Sequence, residues 1–375
     1  MKVKITHLTS AHSRYDTRIF LKECVSLAKL KKYEVSLVVA DNKDHETKNS
    51  INIYDVGKLE GRINRAFITT RKIFKKAKEL DSDIYHFHDP ELISVGLKLK
   101  KLGKKVIFDV HENTSLQIKD KEYLPKISRG LLSKVYRIYE KIYLKKFDYL
   151  ILAEKSYQNY YENLSQKFEV VLNMPDIEPL VNVVNNKDKN ELFYIGGISN
   201  NRGLDVTIEA IKILKDEFPD VFMHYVGSYD QKILDNLDLK SIENNVKFYG
   251  EMPLLDGLQY SRNAKIGLSI LKPIENYTKS YSTKIFEYMA LGMPVITSNF
   301  QLYKDVVERF NCGICINPLK SKELADAITY LFNNPKEARQ MGENGAKVVS
   351  EKYNWKREEK KLLKIYQEIL QGKEK

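Results

Sequence analysis

YSTKIFEYMALGMPVITSN, residues 281–299, holds the junction on which the fold turns. Two hydroxyl residues, Ser282 and Thr283, precede one amphipathic helical pattern that runs through Met289-Ala290-Leu291. Gly292 stops it, Pro294 follows, and the β-branched run VITS reads as a buried strand. A helix that stops on glycine and passes within three residues into such a run is the return step of an α/β sheet. The same alternation extends both ways. VKITHLT, YEVSLVVA, DIYHFH, KKVIFDV and FDYLILA lie in the first half, with helical periods such as RIFLKECVSLAKL and ELISVGLKLKKLG between them. LFYIGG, VFMHYVG, VKFYG, AKIGLSIL, PVITS and CGICINP lie in the second. Near-continuous apolar strands separated by helices imply parallel sheets covered on both faces.

The chain has 375 residues, too many for one ordinary core, and its periodicity fails once, around VVLNMPDIEPLVNVVNNKDKNELF. The expected organisation is therefore α/β with two Rossmann-like, doubly wound domains. One spans 1–172 and the other 191–353, joined by a linker over 173–190. The last segment, 354–375, starts at the only tryptophan and reads as a helix docking back on the first domain. Ligands of such sheets gather at the carboxyl ends of the strands, so the cleft between two of them is the natural site.

Composition narrows the class. With 43% hydrophobic residues and 10 prolines the chain is a folded protein. Its start, MKVKITHLT, lacks the apolar core of a signal peptide, and no apolar run reaches 18 residues, which predicts a cytoplasmic location with no membrane span. The three cysteines, Cys24, Cys312 and Cys315, cannot build a disulfide framework, and CGIC at 312–315 reads as apolar strand packing. The net charge of +12 is uneven: residues 1–180 carry 34 basic and 24 acidic side chains, against 28 and 26 in the remainder. Two segments, 61–80 and 125–147, interleave Lys and Arg with Ile, Leu, Phe and Tyr at helical spacing. That pattern suits either a helix lying on an anionic membrane surface or a helix packed on the sheet with its cations in solvent. No nucleic-acid-binding module is recognisable, so nucleic acid is not an expected partner.

A helix start offers unpaired N–H groups and partial positive charge, and so binds phosphate. Ser282, Thr283 and Lys284 add donors at that end, while Glu287 lies one turn further on the same face. A carboxylate beside a phosphate cradle needs another partner, and ribose hydroxyls supply one. The segment is thus read as gripping a nucleoside diphosphate with its helix start and the ribose with Glu287. The alternative is a surface helix with an incidental Glu–Lys pair.

FEYMALGMPVI resembles the donor-binding motif of glycosyltransferase family 4, retaining enzymes of the GT-B fold. HFHDPEL, VIFDVHEN, YIGGISNNRGLDVTIEAIKIL, YVG and AKIGLSIL occur in the order that family shows. The resemblance implies two Rossmann-like domains facing a central cleft, a nucleotide-sugar donor in the second and an acceptor in the first. It places Glu287 at the second glutamate of an E-x7-E motif and Lys279 where the first would stand. Gly196, Gly197 and Arg202 fall on the phosphate-binding turn, with Arg202 in place of a lysine and Gly197 in place of an arginine. The donor site it implies is Gly196, Gly197, Arg202, Ser282, Thr283, Lys284 and Glu287. His111, in DVHEN, resembles the family's cleft histidine, so the candidate catalytic group is His111, Lys279 and Glu287.

His86, His88 and Asp89 end one strand of the first half, and Asp109, His111 and Glu112 end the next. Metal ligation fits these residue types, but the resembled family works without a metal, so no metal and no cofactor are expected. His88 and Asp89 are assigned to the acceptor side. The loop SAHSRYDTRIF after the first strand adds His12 and Arg14 to that side, suiting an acceptor with phosphate; a salt-bridged turn capping the next helix explains the same residues. The resulting expectation is a peripheral enzyme on the inner face of the cell membrane, moving a sugar from a nucleotide donor, UDP-sugar above others, to a lipid-linked or growing saccharide with retention, in surface polysaccharide synthesis. Two rivals stand beside it: an epimerase or hydrolase on the same fold, and a non-catalytic membrane-surface subunit, for which Lys279 speaks.

Overall fold

The computed structural model describes residues 2–120, 125–163, 167–182 and 189–371. It divides into two compact units, Met1–Asn173 with Lys356–Lys375, and Met174–Trp355. Of the expected linker, 183–188 lies outside the described residues, and the chain from Met174 to Asn182 counts with the second unit.

In the first unit the strands are β1 Val3–Leu8, β2 Tyr33–Val39, β3 Glu46–Lys48, β4 Ile51–Asp55, β5 Ile84–Phe87, β6 Lys105–Val110, β7 Tyr149–Leu152 and β8 Phe168–Val170. They form one sheet in the order β3-β4-β2-β1-β5-β6-β7-β8, parallel except for the β3–β4 edge. The order reverses at β1, whose neighbours are β2 and β5. That reversal is the switch point where doubly wound sheets hold ligands. The helical pattern after β1 begins differently from expectation. Ile19–Cys24 is a wide π-type turn that runs into α-helical Val25–Ala28, and Glu23 N donates to Arg18 O at 2.9 Å. The i to i+5 spacing brings Arg18 and Glu23 inward together, a placement typical of π-turns at functional sites. The helix Trp355–Gln371 closes the unit from position 356 on: Glu358 Oε2 accepts from Leu172 N at 2.9 Å, and the Tyr366 hydroxyl is buried 2.8 Å from His86 Nδ1.

The second unit has β9 Glu191–Ile195, β10 Phe222–Val226, β11 Val246–Phe248, β12 Ala264–Ser269, β13 Val295–Ser298 and β14 Gly313–Ile316. Their order, β11-β10-β9-β12-β13-β14, is that of a dinucleotide-binding sheet with its switch point between β9 and β12. A core of Leu192, Leu204, Ile208, Ile211, Met223, Ile266, Leu268, Leu324, Ile328 and Leu331 lies between this sheet and its helices. CGIC falls at β14 as expected: Cys312 is buried, Cys315 is half-buried, and burial pushes both thiols up to about 12, so they remain protonated.

The two basic segments fold in different ways. Over Thr70–Leu80 the residues Thr70, Ile73 and Ala77 are buried, so this apolar stripe packs inward. Ahead of it Ile63 and Phe67 stand 76% and 63% exposed. The helix Lys126–Tyr143 is inverted relative to ordinary packing. Ser133 and Glu140 are buried, while Ile127, Leu131, Val135, Ile138 and Ile142 line up at helical spacing on the exposed side, Ile127 at 97%. Ser133 Oγ donates to Ser115 O at 2.6 Å, and Glu140 accepts from the Tyr160 and Tyr161 hydroxyls at 2.8 and 3.1 Å. These bonds satisfy Ser133 and Glu140 on the face that is turned inward.

Candidate active site

In the second unit the turn after β9 forms the floor of the site. Gly196 has φ +125°, and a Cβ there would come within 3.3 Å of Lys284 Cε and Nζ. At Gly197 it would stand 3.6 Å from Arg202 Nη1. Two cations from separate segments thus converge on a backbone kept bare, the arrangement that lets a phosphate approach. The turn is fixed by Gly196 N and Ile198 N, which donate to Val226 O and Ser228 O, both at 2.8 Å. Tyr194 Oη donates to Gly197 O at 2.6 Å, and Lys284 Nζ lies 5.3 Å from the centre of the Tyr194 ring. Gly203, at φ +77°, caps the following helix where a Cβ would meet Ile270 O at 2.6 Å, so Arg202 is held at a position only glycine can follow.

The helix Thr283–Ala290 starts beside this turn. Half-buried Lys284 has its ammonium lowered to about 8 by desolvation and by Arg202, while Glu287 supports the charge. Glu287 is buried in the same helix one turn on. Gly196, Gly197, Arg202, Lys284 and Glu287 therefore come together, and Thr283 occupies the first turn. Two residues sit differently from that group. Ser282 is buried, and its hydroxyl shares a hydrogen bond with Ser269 Oγ at 2.9 Å, which braces the helix start against β12. Lys279 ends the short helix Glu275–Lys279, half exposed, with Nζ 2.7 Å from Glu275 Oε1. That i,i+4 ion pair ties its ammonium to the surface of the short helix. Tyr277, on the same short helix, contacts Arg202 and was not among the residues singled out from sequence.

In the first unit the ends of β1, β5 and β6 gather a histidine network. His111 Nε2 lies 2.8 Å from Asp109 Oδ2. Asp109 receives both Nε and Nη2 of Arg18 at 2.8 Å, and Arg18 Nη1 donates to Val171 O at 2.9 Å. Desolvation resists the Asp109 charge, but Arg18, His111 and His88 hold its carboxyl well below the usual carboxylate range. His88, fully buried, lies 3.3 Å from Asp109 Oδ2 through Nδ1 and 3.0 Å from His7 Nδ1 through Nε2. Burial lowers it to about 4, so it is neutral at physiological pH.

Asp89 holds the loop after β1: its Oδ2 accepts from Ser10 N at 2.6 Å and Thr9 Oγ1 at 2.8 Å, and its Oδ1 meets His12 Nδ1 at 3.0 Å. Desolvation opposes protonation of His12, yet Asp89 raises it to about 9. His88 and Asp89 are therefore fastenings beneath the site, with their polar atoms committed to protein partners, and not acceptor contacts. Arg14 is likewise corrected. It is buried, paired through Nε and Nη2 with Asp41 at 2.6 and 2.8 Å and through Nη1 with Glu46 at 2.6 Å. Asp16 Oδ1 accepts from Arg18 N and Ile19 N at 2.8 and 2.9 Å. Of the two explanations of this loop, the salt-bridged, helix-capping one describes these residues. His12 and His111 remain partly exposed, their rings 4.9 Å apart. Beside His12 a cavity of about 720 Å³ is lined by Lys43, Lys58, Arg62 and Arg65.

The sequence of the first unit matches the model described as Glycosyltransferase Family 4 over residues 20–178, and the second matches Glycosyl transferases group 1 over 178–348. An uncharacterized glycosyltransferase of Methanocaldococcus jannaschii is 23% identical over 350 residues, covering 91% of this chain and 92% of its own length. Among solved structures, Anabaena HepE in complex with UDP and glucose superposes with a TM-score of 0.72 at 15% identity, over 98% of this chain and all of that one. WaaG, a glycosyltransferase involved in lipopolysaccharide biosynthesis, gives 0.72 at 15% identity, over 96% of this chain and 99% of that one. The two sheets and these likenesses define the GT-B fold. The chain is accordingly a glycosyltransferase, with a family 4 domain followed by a group 1 domain.

Proposed function

We propose that the protein transfers a hexosyl or N-acetylhexosaminyl group from a nucleotide-sugar, UDP-sugar above others, to a lipid-linked or growing saccharide acceptor, with retention of anomeric configuration, in surface polysaccharide synthesis. The observation that carries this reading is the convergence of Lys284 and Arg202 on the bare Gly196–Gly197 turn, with the Thr283 helix start alongside and Glu287 buried one turn on. The bond that breaks joins the anomeric carbon to the donor phosphate, and its electrons leave with the diphosphate. Arg202, Lys284 and the helix start bear on the oxygens where that charge grows. Glu287 receives the ribose hydroxyls, and the acceptor hydroxyl forms the new bond on the same face of the sugar as its proton passes to the departing diphosphate. His111, its ring oriented by Asp109, is the first unit's contribution to the reaction. The reading requires no metal for transfer. The UDP and glucose bound by HepE support the donor class.

The acceptor side rests on His12 and the basic cavity next to it, which favour a negatively charged acceptor. The outward apolar stripe of Lys126–Tyr143, flanked by Lys134, Arg137 and Lys141, supports attachment to the inner face of the cell membrane through 125–147. From 61–80 only the part with exposed Ile63 and Phe67 would join it. No helix among the described residues is long and apolar enough to cross a membrane.

Thermal unfolding with UDP, GDP, dTDP and ADP tests the donor site. A nucleotide at about a hundred times its Kd stabilises by roughly 2.7 kcal/mol. One nucleotide is expected to raise the midpoint of the wild type and not that of Glu287→Ala. No shift with any of the four would overturn the reading.

A further inference from the structure

Below His111, at the switch point of the first sheet, His7 on β1, His86 on β5, His88 just after it and Glu23 from the π-type turn face one another. All four side chains are fully buried. One ligand-capable atom from each lies within 4.8 Å of the others. Glu23 Oε2 stands 3.9 Å from His7 Nδ1, 3.9 Å from His86 Nδ1 and 4.0 Å from His88 Nε2. His7 Nδ1 and His88 Nε2 are 3.0 Å apart. A regular tetrahedron of zinc ligands at about 2.05 Å has edges of about 3.3 Å, so Glu23 stands within about 0.7 Å of ligand spacing from the His7–His88 pair, while His86 must turn Nδ1 from the Tyr366 hydroxyl or present Nε2 to join it.

The hydrogen bonds leave this group incomplete. Both carboxylate oxygens of Glu23 and Nε2 of His86 are buried without a hydrogen-bond partner. Arg18 Nε comes within 3.2 Å of Glu23 Oε1, but the guanidinium gives its hydrogen bonds to Asp109 and Val171 O. Without an ion, desolvation and the neighbouring Asp109 raise the Glu23 carboxyl well above the usual range and favour its protonated form; a cation is the alternative way to satisfy it. Two of the three histidines have the outer contacts of ligands, while His86 spends Nδ1 on the Tyr366 hydroxyl at 2.8 Å and keeps Nε2 open. His88 turns Nδ1 to Asp109 Oδ2 at 3.3 Å, and His7 turns Nε2 to the Tyr366 hydroxyl at 3.3 Å. A carboxylate or hydroxyl on the far nitrogen fixes the ring and its tautomer. The neighbouring trio His88, Asp109 and His111 does not carry the same argument, because Arg18 already satisfies Asp109.

We propose that His7, Glu23, His86 and His88 form a structural binding site for a divalent cation of zinc type. Three imidazoles and one carboxylate in a closed, dry set suit zinc above calcium or magnesium. The ion would tie β1, β5 and the π-type turn together under the loop that carries His12, and it is separate from the transfer chemistry.

The test uses the full chain without a polyhistidine tag, grown with added Zn²⁺ or with Co²⁺ in its place. Elemental analysis after exhaustive buffer exchange is expected to find about one ion per chain. The cobalt form should show the intense visible bands of a four-coordinate site. Glu23→Gln and His86→Gln are expected to lose those bands, whereas His224→Gln, whose imidazole pairs with Glu191 at 3.0 Å in the other sheet, keeps them. Should the cluster variants not fold, the wild type decides alone. Metal-free wild-type protein from supplemented cells, or cobalt bands that survive both cluster substitutions, would overturn the site and leave a buried hydrogen-bonded network. The nucleotide shift is read independently, so either idea can fail without the other.

Discussion

Lys284→Met separates what the fold wants from what the donor needs. The ammonium titrates at about 8 where an ordinary lysine titrates at 10.5, because desolvation and Arg202 outweigh the help of Glu287. A cation with a lowered pKa is protonated less readily in the folded chain than in the unfolded one. The fold therefore carries a penalty that is fully present below about pH 8 and disappears as pH rises toward 10.5. At about 1.4 kcal/mol for each pH unit the full displacement corresponds to ~3 kcal/mol, and partial solvent screening of this half-buried group reduces it to ~1–2 kcal/mol. Methionine keeps the stem that packs by Gly196 and removes the charge. The variant without ligand should accordingly melt several degrees above the wild type at pH 7, with the gap shrinking by pH 10. With UDP present the order should reverse, since the variant has lost a cation on the diphosphate. Differential scanning fluorimetry with and without UDP at both pH values reads all four states. A variant no more stable than the wild type, or one that keeps the full UDP shift, would refute the claim that Lys284 is held against its preference for phosphate.

Asp109→Asn should lower stability by about 3–5 kcal/mol, because it leaves the buried Arg18 without its carboxylate, and chemical denaturation measures the loss. In whatever folded fraction remains, kcat is expected to fall on the order of 10²-fold with the donor KM little changed, since Asp109 orients His111 and has no assigned contact with the donor; unchanged kcat would remove His111 from the reaction. Replacing Lys134, Arg137 and Lys141 together with Gln should weaken binding to anionic vesicles by ~3 kcal/mol, about two orders of magnitude, at about 1 kcal/mol per basic residue. Co-sedimentation checks it, and binding equal to the wild type would detach the membrane reading from this helix.

What the sequence disclosed and what it hid divide along a physical line. Parallel strands write themselves as β-branched runs, and a turn that bares its backbone beside a cation needs glycine and arginine close together in the chain, so both sheets and the Gly196–Arg202 turn were legible. The role of a polar side chain depends on which partner reaches it first, and that partner is distant in sequence. Ser282 has the chemistry of a ligand donor, and Ser269, 2.9 Å away on the neighbouring strand, engages its hydroxyl. Arg14 looked available until Asp41 and Glu46 closed on it. Helical periodicity showed that Lys126–Tyr143 has an apolar stripe but gave no direction for it; burial of Ser133 and Glu140 supplies that direction. Glu23 was hidden by the same degeneracy, as one acid among the polar residues of an amphipathic pattern. A single extra residue in the turn from Arg18 rotates it from the solvent side into the histidines. A glutamate one π-turn after an arginine is therefore the local signal, because that spacing turns its carboxyl inward beside the guanidinium.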